Sequence, residues 1–225
     1  MIVKKHFLEV IVIFFSVMLA FIAEDWRENR QGNKDFNNIL VEIENNVRLD
    51  SIELGIDVKD IQIQLKCLEL LLGEEQLLSN DSISICIARI MHTHWPDYIT
   101  TGIDQLRNSQ NLSQNSELME AIYDYYTYSK YHEAITPFFF TEQVENLREY
   151  LIKERLSPSG AGIYASVKFD ENEIQSYRKA LIKPELQARL KHLHNNRKHM
   201  MEFYQKRMQI KCQKLLTLLN KETMK

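Results

Sequence analysis

From Phe7 to Ala23 the chain runs through 17 residues with one formal charge, Glu9, before breaking into mixed acid and base around Trp26. As a helix this run spans about 26 Å, slightly short of a hydrocarbon core of roughly 30 Å. Extending it to His6 and Trp26, both suited to an interface, closes the gap. A cleaved signal peptide needs small residues at its cleavage site. Cleavage after Ala23 would put Phe21 at the −3 position, and cleavage after Ala20 would put Met18 there. A core helix of a globular protein shows a polar face, yet Val10 to Ala23 offers only Ser16. The pattern predicts a transmembrane anchor over residues 7–26, behind a short basic tail, 1–6, that carries Lys4 and Lys5.

The pattern then changes period. Phe36, Leu40, Ile43, Val47, Leu54, Val58, Ile61, Leu65, Leu68 and Leu72 recur in steps of four and three, with a gap at Asp50. This near-heptad stripe predicts a long juxtamembrane helix or helix pair over 27–75, a coiled-coil-like stalk. Gly73 suits a C-terminal cap and Gly55 a break. A middle region, 76–156, reads as shorter helices. Ser79 or Asn80 caps the first of them. Thr101 and Asp104 have capping-box spacing, Asn115 or Ser116 starts the next helix, and Pro137 bends or interrupts it. Residues 157–172, with Pro158, Gly160 and Gly162, read as a loop. The region 173–225 carries Leu186, Leu190, Leu193, Met201, Tyr204, Met208, Cys212, Leu215 and Leu219, with Pro184 suited to the first turn. The fold class is all-α: an N-terminal transmembrane helix continuing into the stalk, with an antiparallel helical bundle.

Composition agrees, since 6 Gly and 4 Pro in 225 residues leave few turns. Charge adds a polarity along the chain. Arg178 to Lys225 holds 13 basic against 3 acidic residues, and Glu24 to Glu75 holds 13 acidic against 6 basic. Two oppositely charged helices packed together explain this better than a nucleic-acid surface, because both segments carry apolar stripes. No nucleic-acid partner is expected.

Candidate chemistry is sparse. Cys67, Cys86 and Cys212 lack C-x-x-C spacing and read as small apolar residues, with one bridge conceivable outside the cytoplasm. His92 and His94 lie two apart and point to different sides of a helix; His192 and His199 share a face without partners at zinc spacing. No metal or cofactor is expected. Tyr123, Tyr125, Tyr126, Tyr128 and Tyr131 lack the basic neighbours of a base-stacking platform and read as core with exposed hydroxyl tips. Nucleophile elbow, phosphate loop and HExxH are all missing, so no enzymatic activity is expected. Glu9 sits two residues inside the apolar run, within reach of the interface, of Lys5, or of a second span in an oligomer.

Two stretches carry a resemblance. Glu9, the apolar span, Trp26, Glu28 and Arg30 form one signature. Leu106, Leu112, Leu118, Ile122, Tyr125 and Tyr126, in a turn followed by a helix with a Tyr pair, form the second. Together they resemble a large family of bacterial single-pass membrane-anchored helical proteins. Gln110 stands where that turn has Gly, and the basic tail is shorter than the family's. The resemblance implies a cytoplasmic-membrane protein, N-terminus inside and helical domain outside; it implies no activity. The expected function is an interaction or scaffold protein whose partners are the lipid bilayer and a second copy or another envelope protein. The alternative is a ligand-binding, sensor-like domain.

Overall fold

The computed structural model describes the backbone of residues 2–73, 78–93, 96–109, 115–156 and 169–223, and side chains from residue 13 onward. Its elements are all helical: α1 (Ile2–Leu72), α2 (Asn80–Ile90), α3 (Thr101–Asn108), α4 (Ser116–Pro137), α5 (Gln143–Lys153), α6 (Glu171–Leu181), α7 (Pro184–Phe203) and α8 (Gln209–Thr223). A π-helical turn, Phe138–Glu142, joins α4 to α5, and another, Tyr204–Met208, joins α7 to α8. Each pair therefore runs as one continuous rod.

The organising element is α1. Its 71 residues make a rod of about 107 Å at 1.5 Å per residue. The span expected over 7–26 and the stalk expected from 27 onward lie on one uninterrupted helix that ends at Leu72, and Gly55 does not break it. Gly73 follows the end as expected, with its N–H bonded to the Leu70 carbonyl at 3.4 Å. Among the described residues no helix is long and apolar enough to cross a membrane. The side chains of positions 7–12 of the expected span lie outside those described.

Most of the stripe on α1 is buried, but Phe36, Leu65 and Leu72 are only half-buried, and near the end the buried face shifts to Leu71. Leu40, Ile43, Val47, Leu54 and Ile61 join a core with α3, α4 and the α7–α8 rod. Leu68 and Leu71 join a second core with α2, α5, α6 and the first turns of α7. The two cores are stacked along α1, and α7–α8 runs antiparallel to it. Glu69 meets His194 at 3.6 Å at one end, while Arg48 donates to Asn220 at 3.2 Å at the other. The acidic and basic segments do pack together as expected, but not all of the basic charge faces α1. Lys211 pairs with Asp124 of α4 and covers the Tyr128 ring, while apolar side chains of α1 and α8 share one core.

Local signals set the shorter helices. Ser79 caps α2, its Oγ accepting from Ser82 N–H, and Asn115 caps α4 through Leu118 N–H. The capping residue of α3 is Thr100 rather than Thr101, with Thr100 Oγ1 donating to Asp104 at 3.1 Å. Asp170 and Glu173 form a full capping box, so α6 begins inside the loop expected at 157–172; residues 157–168 lie outside the described ones. Pro184 opens α7 as predicted.

Gly102 is where α3 meets α1. A Cβ there would stand 2.6 Å from Ile43 Cγ1 and 2.9 Å from its backbone nitrogen. Beside this contact Asn46 accepts from Thr101 Oγ1 and Gly102 N–H, both at 3.0 Å. Gly102→Ala must push α3 off α1, and overpacking of this kind costs about 1–3 kcal/mol. Urea unfolding should show a lower midpoint; an unchanged midpoint would mean the joint yields without cost.

Candidate functional site

Two features of α1 call for a functional account: what it exposes before the bundle and what it buries inside it.

Every side chain from residue 13 to 31 is exposed. Ile13, Phe14, Phe15, Leu19, Phe21 and Ile22 are between 54% and 68% open to solvent. Consecutive positions on a helix differ by about 100°, so the large apolar side chains from Ile13 to Ile22 cover about 240° of the cylinder, and Ser16, Ala20 and Ala23 occupy the remaining face. This apolar arm ends at Trp26, also exposed, with the Arg30 guanidinium 5.4 Å from its ring centroid and Arg27 bonded to Glu24 at 2.6 Å. Trp26 and Arg30 of the first signature are thus brought together, one turn apart. Glu28 is exposed beside them. The side chains of Lys4, Lys5 and Glu9 lie outside the described residues, so no partner of Glu9 is visible.

The buried feature begins at Asp50, the gap in the stripe. It is 2% exposed, yet it carries a carboxylate into the core. Tyr125 donates its hydroxyl to Asp50 Oδ2 at 2.7 Å, and Ile99 N–H reaches Oδ1 at 3.3 Å. Burial pushes the Asp50 carboxyl up to about 6, against the two hydrogen bonds, with Glu53 and Glu133 adding to the rise. Asp57 and Gln64, each seven residues further, continue the row on the same face of α1 and are also buried.

The row faces an aromatic and polar wall. The Tyr98 hydroxyl lies 2.5 Å from His132 Nδ1, and the His132 ring stacks on Phe203 at 4.9 Å and meets Tyr204 edge-on at 4.5 Å. Burial lifts the hydroxyl pKa values of Tyr98, Tyr125 and Tyr204 well above the usual tyrosine range. At the far end Arg197 is fully buried. Its Nε donates to Gln64 Oε1 at 2.6 Å and its Nη1 to the Phe139 carbonyl at 3.1 Å, and the Phe140 ring lies 3.8 Å from the guanidinium carbon. Gln64 passes the interaction on, donating to Asp60 Oδ2 at 2.7 Å, where His92 Nδ1 also sits at 3.2 Å. Burial alone would raise the Asp60 pKa, but the hydrogen bonds from His92 and Gln64 outweigh it and hold the carboxyl below its usual value. The relay Arg197–Gln64–Asp60–His92 lies where one apolar core gives way to the other.

Chemically this spine is closed. The space beside Asp50, bounded by Glu53, Asp57, Asp97 and Tyr98, is about 10 Å³, room for about one water. What it provides is register. Polar residues at otherwise apolar seam positions fix how helices slide and turn against one another, at a cost in stability.

The second signature lands in this spine. Leu106, Leu118 and Ile122 are buried around it, Tyr125 bonds Asp50, and Tyr126 packs edge-on against Tyr125 at 5.1 Å. Leu112 and Gln110 lie outside the described residues. The Tyr125 and Tyr126 hydroxyls are not exposed tips, since both residues are buried; Tyr123 and Tyr131 are exposed. His92 and His194 pair with carboxylates, and His94 lies outside the described residues. Among those described, no three metal-ligating side chains converge. Arg197 and His132 were missed by sequence reasoning. Comparison with protein-family models, curated proteins and solved structures finds no match.

Proposed function

We propose that this chain is a single-pass membrane scaffold, held by residues 7–26 and presenting a rigid helical bundle to a second copy or to another envelope protein. The observation that carries the reading is the arm. Residues 13–22 expose large apolar side chains over about 240° of the helix surface, far wider than a single packing stripe, on the same helix that forms the spine of the bundle. A partner helix would need one apolar stripe, whereas lipid contacts every face. The Trp26–Arg30 pair ends the apolar run with the amphipathic side chains that settle at an interface. The likeness of both signatures to the membrane-anchored family supports the same reading. So does the closed polar row, which leaves no ligand cavity beside Asp50; the cleft of about 800 Å³ that α1 walls with α3, at Asp35, Ile39 and Asp104, is a broad surface groove open to solvent, and this favours a scaffold over a sensor. Lys4 and Lys5 ahead of the span are matched by Arg27, Arg30 and Lys34 after it, so the inside N-terminus rests on the family likeness and on the ability of a large following domain to translocate whatever its charge.

The test is fractionation of the full chain carrying a C-terminal reporter active only outside the cytoplasm. The expected result is a pellet resistant to carbonate, release by detergent and an active reporter. Removing residues 2–26 should move the bundle, still helical by circular dichroism, to the supernatant. Full-length chain in the carbonate supernatant overturns the anchor, and a membrane-bound chain with a silent reporter overturns the orientation.

A further inference from the structure

α2 folds back along the end of α1 as an antiparallel hairpin. Asp60 meets both Arg89, at 3.9 Å, and His92, at 3.2 Å, which sets the register. Two turns beyond Asp60 on α1 is Cys67, and one turn before Arg89 on α2 is Cys86; both lie in the second core between the two helices. Both side chains are buried in the second core and unbridged, and each thiol is the other's principal electrostatic neighbour. Two cysteines thus share one core across a helix pair, with no third cysteine in that core; Cys212 belongs to the other one.

We infer that Cys67 and Cys86 are a disulfide-forming pair that staples α2 to the far end of α1 when the chain meets an oxidising thiol–disulfide couple. The inference holds on either side of a membrane, so its outcome is independent of the orientation proposed above. The environment also assigns roles. The Cys86 thiol and the Arg89 charge favour the thiolate at Cys67 against the opposing effect of burial; we therefore take Cys67 as the attacking sulfur.

With oxidised glutathione as the oxidant, the Cys67 thiolate attacks one glutathione sulfur. The glutathione S–S bond breaks, one glutathione thiolate leaves, and a mixed disulfide remains. Cys86 then loses its proton to solvent and attacks the Cys67 sulfur, releasing the second glutathione thiolate. Two protein thiols are oxidised and one small disulfide is reduced to two thiols. Opening of the short α2 hairpin admits the oxidant. The bridge closes a loop of about 20 residues, long enough to constrain the unfolded chain substantially.

The experiment takes the full chain in detergent, reduced, and equilibrates it against glutathione buffers from reducing to oxidising. It is quenched in acid, and free thiols are read by maleimide mass shift and peptide mapping. The expected product is one linked peptide pair, Cys67 with Cys86, with Cys212 free. The bridged form should melt roughly 5–10 °C above the reduced form. Cys67→Ser should leave Cys86 fully alkylatable, and Cys86→Ser should do the same for Cys67; Cys212→Ser should change nothing. Wild-type chain that stays folded with both thiols alkylatable at the most oxidising poise overturns the inference. A bridge to Cys212, or a bridged form that melts no higher than the reduced one, overturns it equally.

Discussion

Arg197→Ala should destabilise the bundle by about 3–5 kcal/mol, the combined cost of a large buried cavity and of buried acceptors left without a donor. The side chain is fully buried between two apolar cores and gives hydrogen bonds to Gln64 and the Phe139 carbonyl. Truncation leaves both acceptors without their donor, empties the volume over the Phe140 ring, and strips Asp60 of a cation it senses through Gln64. In a chain of this size the midpoint of thermal unfolding should fall by roughly 10 °C. Arg197→Met with Gln64→Leu should recover at least half of the loss, because an apolar pair of similar volume needs no partners. A single Ala variant within about 1 kcal/mol of wild type would show that the joint between the cores tolerates an orphaned amide and carbonyl, and that Arg197 does not hold it.

Asp50 should make stability fall as pH rises. Its folded pKa, about 6, lies above the ordinary 3.8, so the folded chain holds a proton there that the unfolded chain releases. The contribution is fully present below about pH 4, is lost between pH 4 and 6, and stays lost above. The shift corresponds to about 2–3 kcal/mol. Asp60 works in the other direction, its lowered pKa adding stability that disappears in acid, so the clean quantity is the difference between wild type and Asp50→Asn. The amide mimics the protonated carboxyl, still meeting Tyr125 and the Ile99 N–H. At pH 8 the variant should exceed wild type by about 2 kcal/mol, and at pH 4 the two should converge. Parallel denaturation profiles across that range would mean that Asp50 stays ionised in the folded chain, balanced by its two donors.

Much of the architecture was readable because apolar spacing speaks for burial. The stripe from Phe36 to Leu72 named the face that α1 buries, and the caps at Ser79 and Asn115 and the start at Pro184 follow from short-range chemistry alone. What escaped was polar. Asp50 showed only as a missing beat, and Arg197 sits in the matching interruption between Leu193 and Met201, where the buried face in fact continues through Arg197 and Met200. Periodicity marks such positions as faults and says nothing of their partners, which come from α4, the Phe138–Glu142 turn and the segment before α3. Pro137 signalled a disturbance in its rod, but nothing local signalled the wide turn at Tyr204–Met208. The start of α6 was hidden because its capping box lies in a stretch rich in loop residues. The tyrosines were placed in the core, but burial of their hydroxyls needed an acceptor on α1 that sequence distance conceals.

The continuity of α1 has a mechanical consequence. Arm and spine share one helix, so the azimuth of every arm residue is phase-locked to Asp50, Asp57 and Gln64. One residue added between them would rotate the arm by about 100° and advance it about 1.5 Å, whereas four would return it to within about 40°. A surround that touches all faces alike is indifferent to that angle. A neighbouring helix is not, and α1 then acts as a driveshaft, turning rotation at one end into torque on the buried polar row at the other.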